Sequence, residues 1–280
     1  MKLAYQRNEI LLEEILNAPT SQNRFYLWWT GQSGFLIKWK DKFLFFDPYL
    51  SDSLSTKYHK TNKPHVRMTE RVIDPAKLDF VDVVTSSHSH TDHLDKETLL
   101  ALRNGNPDIK LVLPEANIHV AEDRLGDEVP EMVGMDKGRV EKVAGFEFHG
   151  ISAAHNEVEK DTEGRCMFMG FVVKFGPFTV YHSGDTLWHK DLVKEVLPHE
   201  PDLVLLPING NVPERGVEGN LNGSEAAAFA KAVGARCAIP CHYDMFEFNT
   251  ESPEEFSTVC GRIHQTCMVM QNGESQKFTK

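Results

Sequence analysis

Nowhere does the 280-residue sequence contain an apolar run approaching the ~20 residues that a membrane-spanning helix needs. The N-terminal stretch MKLAYQRNEILLEEILNAPT carries acidic residues where a secretory leader would need an apolar core. Ile10, Leu11, Leu12, Ile15 and Leu16 recur instead at helical spacing and predict an amphipathic helix. These absences set the expectation of a cytoplasmic protein without a membrane partner. Cysteine is scarce and unpatterned, with five residues at 166, 237, 241, 260 and 267 and no Cys-x-x-Cys or zinc-finger spacing. An odd number without a framework predicts free thiols in a reducing compartment. Positive charge is in deficit too: 30 Lys and Arg stand against 41 Asp and Glu, a formal net charge of -11. A phosphate backbone rewards clustered Lys and Arg, so no nucleic-acid partner is expected. A small anionic substrate remains open, because metal ions and a few local cations suffice to hold one. Nothing in the sequence excludes a homo-oligomer.

Low-complexity segments, linkers and short-period repeats are also missing. The length suits one large domain or two tightly fused halves, and residues 1–280 are read as a single domain. Residues 25–29, 34–39 and 42–46 are short aromatic or aliphatic runs between turn residues and predict strands. Residues 51–72 are polar, carry Lys57, Lys60, Lys63 and Arg67, and read as a long loop of the kind that is functional or mobile. A strand at 80–85, a helix at 96–103, a strand at 110–113 and a helix at 118–125 complete the first half. The second half alternates in the same way, with strands at 146–151, 168–175, 178–182, 203–207, 237–240 and 268–270. Its helices are expected at 190–197, 224–233 and 253–265. Composition and order together support an α+β protein whose two halves each carry a sheet covered on one face by helices.

The chemistry concentrates in His88-Ser89-His90-Thr91-Asp92-His93, which follows the apolar run FVDVVTSS. A loop leaving a strand end can turn alternate imidazoles toward one point and aim Asp92 and His93 at a second. Imidazole with carboxylate suits Zn²⁺, Mn²⁺ or Fe²⁺. One hexapeptide cannot fill two metal shells, so further His and Asp at strand ends are required. His155 after FEFHGISAA, Asp185 after FTVYHSGD and His242 after CAIPC answer that requirement.

In this order (His-x-His-x-Asp-His, then His, Asp and His) the sequence resembles the metallo-β-lactamase superfamily over nearly its full length. Within it the chain is most similar to the L-ascorbate-6-phosphate lactonase family. The matching text is Trp28-Trp29-Thr30-Gly31, Phe46-Asp47-Pro48, Tyr181-His182-Ser183-Gly184-Asp185 and Ala238-Ile239-Pro240-Cys241-His242-Tyr243-Asp244. The resemblance implies a four-layer αββα sandwich and two divalent ions, zinc or manganese with iron admissible. His88, His90 and His155 would hold the first ion and Asp92, His93 and His242 the second, with Asp185 bridging. Asp92 and Asp185 are thereby the candidate catalytic carboxylates. Two ions ~3.5–4 Å apart can share a water and bring its pKa near neutrality, which gives a hydroxide nucleophile. Asp47 is a candidate acceptor for the N–H of a ligand imidazole. Flavodiiron-type oxygen reductases carry Glu where this motif has its second His, so hydrolysis is favoured over redox chemistry.

For the substrate, Arg165 resembles a family position and is a candidate phosphate grip, because guanidinium offers two parallel hydrogen bonds. The Lys-rich loop, Asn209, Asn211 and His182 are further candidate contacts, and Trp188 and His189 lie close enough in sequence to line a pocket. Three readings follow: hydrolysis of a lactone or ester of a small, phosphorylated sugar-acid type of metabolite; phosphodiester cleavage of a small nucleotide or phospholipid head group; or metal binding without turnover.

Overall fold

The computed structural model describes residues 1–280 apart from the side chain of residue 215. The first half supplies β1 (Arg24–Gly31), β2 (Gly34–Trp39), β3 (Lys42–Phe46), β4 (Val83–Thr85), β5 (Lys110–Pro114) and β6 (Glu131–Met135). The second supplies β7 (Val140–Val143), β8 (Phe146–Ser152), β9 (Met169–Phe175), β10 (Phe178–His182), β11 (Leu203–Pro207) and β12 (Cys237–Cys241), and β13 (Ser275–Thr279) ends the chain. Two sheets result, ordered β13-β1-β2-β3-β4-β5-β6 and β12-β11-β10-β9-β8-β7. The helices are α1 (Asn8–Asn17), α2 (Ser53–Tyr58), α3 (Lys96–Gly105), α4 (Ile118–Leu125), α5 (Leu192–Val196), α6 (Gly223–Ala232) and α7 (Glu254–Arg262).

Side-chain alternation along β1 shows how the layers form. Phe25, Leu27 and Trp29 point into the core between the sheets, against Phe171, Val173 and Phe175 of β9. Trp28 points the other way, into a second core shared with Leu11 and Ile15 of α1, Leu99 and Leu102 of α3, and Leu125 of α4. A strand's period of two serves both faces only when both are apolar, which is why β1 reads as a nearly continuous aromatic run. Ala226, Phe229 and Ala230 of α6 and Phe256 and Cys260 of α7 cover the outer face of the second sheet. The four-layer αββα order expected from the sequence is the order found. All five cysteines are free thiols.

The halves are less separate than the sequence suggests. The last strand, β13, pairs antiparallel with β1 and so joins the first-half sheet. Residues 268–270, expected as a strand, make only an isolated bridge between Cys267 and Ala238. In that bridge Ala238 N donates to Thr266 O and Met268 N donates to Ala238 O. The next rung would need an N–H from residue 240, which is a proline. The region 51–72 is not wholly irregular either, since it contains α2. No helix is long and apolar enough to cross a membrane among the described residues.

Candidate metal centre

The parallel strands β4, β11 and β12 and their neighbours β8 and β10 end on one rim, and each metal-ligand candidate follows one of those ends. After β4, residues 86–95 form a turn closed by His93 N and Leu94 N, which donate to His90 O at 3.1 and 2.8 Å. Asp95 then caps α3 by accepting Thr98 N at 3.1 Å. The turn is pinned from below by Leu94, which is fully buried. Ala153-Ala154-His155 leaves β8, Ser183-Gly184-Asp185 leaves β10, and His242 leaves β12. Two hydrogen bonds tie the His155 and Asp185 loops together: Ala154 N donates to Thr186 Oγ1 at 3.0 Å, and Leu187 N donates to Ala154 O at 2.7 Å. His242 is held in the left-handed region at φ 64, an unusual conformation for a residue with a Cβ.

Their donor atoms converge in two groups. His88, His90 and Asp185 form one and Asp92, His93 and His242 the other, with the ligand atoms of each within 4.8 Å of one another. Asp185 also reaches the second group, with Oδ1 3.3 Å from His93 Nε2 and Oδ2 3.4 Å from His242 Nε2. Oδ2 of Asp185 is 4.0 Å from His88 Nε2. His155 stands beside the first group rather than within its tight set, its ring centre 4.8 Å from His90 and 6.0 Å from His88. Phe168 packs against all three of these rings at 4.8 to 5.6 Å.

The donor set fits divalent cations. His88 Nε2, His93 Nε2 and Asp185 Oδ1 are buried without a hydrogen-bond partner, a costly arrangement unless a cation satisfies them together. Burial pushes the Asp185 and Asp92 carboxyls up, but neighbouring imidazoles more than reverse this and hold both well below the usual carboxylate range. Burial likewise opposes charge on His242, yet Asp185 lifts it to about 9; His93 is raised well above its usual value in the same way. These two carboxylates therefore draw positive charge into a buried site. His88 goes the other way, pushed well down by burial and by the charges of His93 and His90, which leaves a neutral imidazole of the kind a metal binds.

A shell of hydrogen bonds orients these ligands. Asp47, fully buried, accepts from His93 Nδ1 at 2.7 Å, which leaves Nε2 to face the centre. The same carboxylate accepts Thr85 Oγ1 at 2.6 Å and Ser87 N at 3.1 Å. Ser87 Oγ lies 3.0 Å from His88 Nδ1, and Ser87 O accepts Met169 N from β9. Neither Ser87 nor Phe168 is singled out by sequence reasoning. The only signal for Ser87 is its place between a buried strand and the first histidine.

The expected substrate contacts divide. Asn209 lines the cleft above the donor groups and donates to Asn249 Oδ1 at 2.8 Å. Asn211 lies outside the lining and accepts Gly219 N at 3.2 Å, bracing the turn that supports His155. His182 is buried beneath the site, its ring stacked on Phe46 at 4.8 Å and its Nε2 donating to Ser33 O at 3.0 Å. Arg165 is likewise outside the cleft lining, its guanidinium taken up by Asp161, Glu163 and Glu115. Trp188 and His189 do not line the cleft either. Among the described residues, the cations that do are Lys57, Lys63 and Arg124.

Comparison with known proteins gives the same picture. Residues 26–242 match a family model described as a beta-lactamase superfamily domain. A metal-dependent hydrolase of Archaeoglobus fulgidus is 28% identical over 258 residues, covering 90% of this chain and 98% of its own. A probable L-ascorbate-6-phosphate lactonase of Escherichia coli is 23% identical over 278 residues, covering 88% and 77%. In fold, the chain resembles the isothiocyanate hydrolase of Delia radicum gut bacteria with a TM-score of 0.72 at 19% identity, covering 91% and 99%. With its fold, its donor groups and this match in agreement, the chain belongs to the metallo-β-lactamase superfamily and is a metal-dependent hydrolase.

Proposed function

We propose that the protein uses two divalent ions to hydrolyse a lactone or ester of a small anionic metabolite. The observation that carries this is the position of Asp185, whose two oxygens lie within 3.3 to 4.0 Å of ligand nitrogens from both donor groups. A pair of divalent ions held there supplies Lewis acidity and a water activated at neutral pH. Asp185 and Asp92, kept ionised, fix the charge of the site, and the Asp47–His93 bond fixes one ligand ring.

An anionic substrate is supported by the cleft itself. Its volume is about 680 Å³, room for a compact metabolite. Once Asp92 and Asp185 are committed to metal, the described lining keeps three cations, Lys57, Lys63 and Arg124, against one carboxylate, Glu218. Among the described residues none of the three forms an ion pair, although Arg124 donates to Leu94 O at 3.0 Å and feels the charge of Asp95. In a chain of net charge -11 that local excess favours a negatively charged ligand. Arg165, with three carboxylates to displace, is less suited to the task. Tyr58, His65, Phe246 and Phe248 make an aromatic wall beside these cations, with ring centres 4.4 to 5.0 Å apart. Burial pushes the His65 imidazole down, which disfavours its charged form.

The test is a substrate panel with Mn²⁺ or Zn²⁺ added: a phosphorylated sugar lactone, its unphosphorylated analogue and a chromogenic phosphodiester. We expect lactone opening, with the phosphorylated form preferred. Replacing Lys57 and Lys63 together by Ala should reduce that preference by about tenfold or more, mainly through KM. Clear phosphodiester cleavage with no lactone opening would overturn the lactonase reading in favour of a phosphodiesterase.

A further inference from the structure

Gln32 sits in the turn between β1 and β2, yet it reaches two ligands that are 60 and 210 residues away in sequence. It is fully buried. Its backbone occupies the left-handed region at φ 51 and is held from two sides. The carbonyl accepts the indole N–H of Trp29 at 3.0 Å and the backbone N–H of His242 at 3.0 Å. From that anchored position Nε2 donates to Asp92 Oδ2 at 2.8 Å and stands 3.0 Å from His242 Nε2. Oε1 is buried with no hydrogen-bond partner.

Packing alone does not account for this arrangement. An apolar side chain of similar volume would fill the space without stranding a buried oxygen, which is costly. A carboxylate would add a third negative charge beside Asp92 and Asp185. A neutral amide donates to Asp92 without changing the charge of the centre.

We propose that Gln32 is a positioning residue of the second metal site, formed by Asp92, His93 and His242. Its side chain steers the Asp92 carboxylate while its backbone carbonyl fixes the main chain of His242. This rests on the dinuclear reading above. The site is thus tied to the first hairpin of the chain as well as to the loops that carry its ligands.

Calorimetric titration of the chelator-treated full chain with Zn²⁺ or Mn²⁺ resolves the two sites and tests the assignment. Gln32→Met should weaken one site by about 10- to 100-fold, the usual effect of losing an outer hydrogen-bond partner, and leave the other within about twofold. The visible absorption of the Co²⁺-loaded variant should change in parallel, while the melting temperature of the metal-free chain should not fall. Gln32→Glu is the second variant. Its added charge should lower the metal-free melting temperature and enlarge the stabilisation that metal gives. Wild-type affinities at both sites in both variants, or equal losses at the two sites, would overturn the assignment while leaving the dinuclear reading intact. A wild-type chain that takes up only one ion would overturn both.

Discussion

At Asp185 the two donor groups meet, and the carboxylate is buried with one oxygen unpartnered. Asp185→Asn keeps the shape and removes the charge that lifts His242 and His93. We expect it to weaken at least one metal by more than the roughly 10- to 100-fold that losing an outer partner costs, and to reduce hydrolysis accordingly. Equilibrium dialysis against limiting Zn²⁺ checks this, and unchanged loading would remove Asp185 from its bridging role. Gly219 makes a second test at this scale. Its φ is +85, and a Cβ built on it would lie 1.8 Å from His155 Nδ1 and 1.9 Å from His155 O. Gly219→Ala should therefore displace His155 and weaken the first site, with little change in far-ultraviolet circular dichroism. Retention of full metal affinity would separate His155 from the centre. The seven candidate His and Asp ligands stand out in the sequence because each follows an apolar strand, and six of them fall in the two donor groups. Ser87, Gln32 and Phe168 are not, since a serine before a motif, a glutamine between turn glycines and a phenylalanine at a strand's edge acquire their roles only through long-range contacts.

Among the elements, those with apolar runs were readable, the buried edge strand β12 included, and the polar edge strands β7 and β13 were not. β2, β3, β10 and β11 have the bounds expected from their apolar runs. β7 reads Val-Glu-Lys-Val and β13 reads Ser-Gln-Lys-Phe-Thr, both half-exposed edge strands, where polar residues face solvent and the alternation is lost. Within β13, Phe278 alone finds a large apolar partner, stacking on Phe25 at 4.8 Å. β4 is shorter than the run 80–85, and just before it Asp82 turns its carboxylate to Lys42 and to the backbone of Phe43. α6 begins with a full capping box, Asn222 accepting Glu225 N at 2.8 Å and Glu225 accepting Asn222 N at 3.0 Å. Asn222→Ala should cost about 1 kcal/mol. A urea titration would read this as a lower midpoint at unchanged slope, and an unchanged midpoint would mean that packing of α6 on α7 sets the helix start instead.

For the molecule as a whole, two sheets packed face to face bring the loops after β4, β8, β10 and β12 to one rim, and β13 closes the first sheet with the last residues of the chain. The four-layer order was legible through the His and Asp motifs and the family they resemble, since composition and element order alone give only an α+β protein; the exchange of β13 was not, because its partner is some 250 residues away. Acidic overall, the chain nevertheless turns Lys57, Lys63 and Arg124 toward the cleft that holds its buried His and Asp cluster. Whether that centre is dinuclear is most directly measured by elemental analysis of protein reconstituted with excess Mn²⁺ or Zn²⁺ and then desalted. Two ions per chain is the expected value, and a reproducible value of one or of none would contradict it.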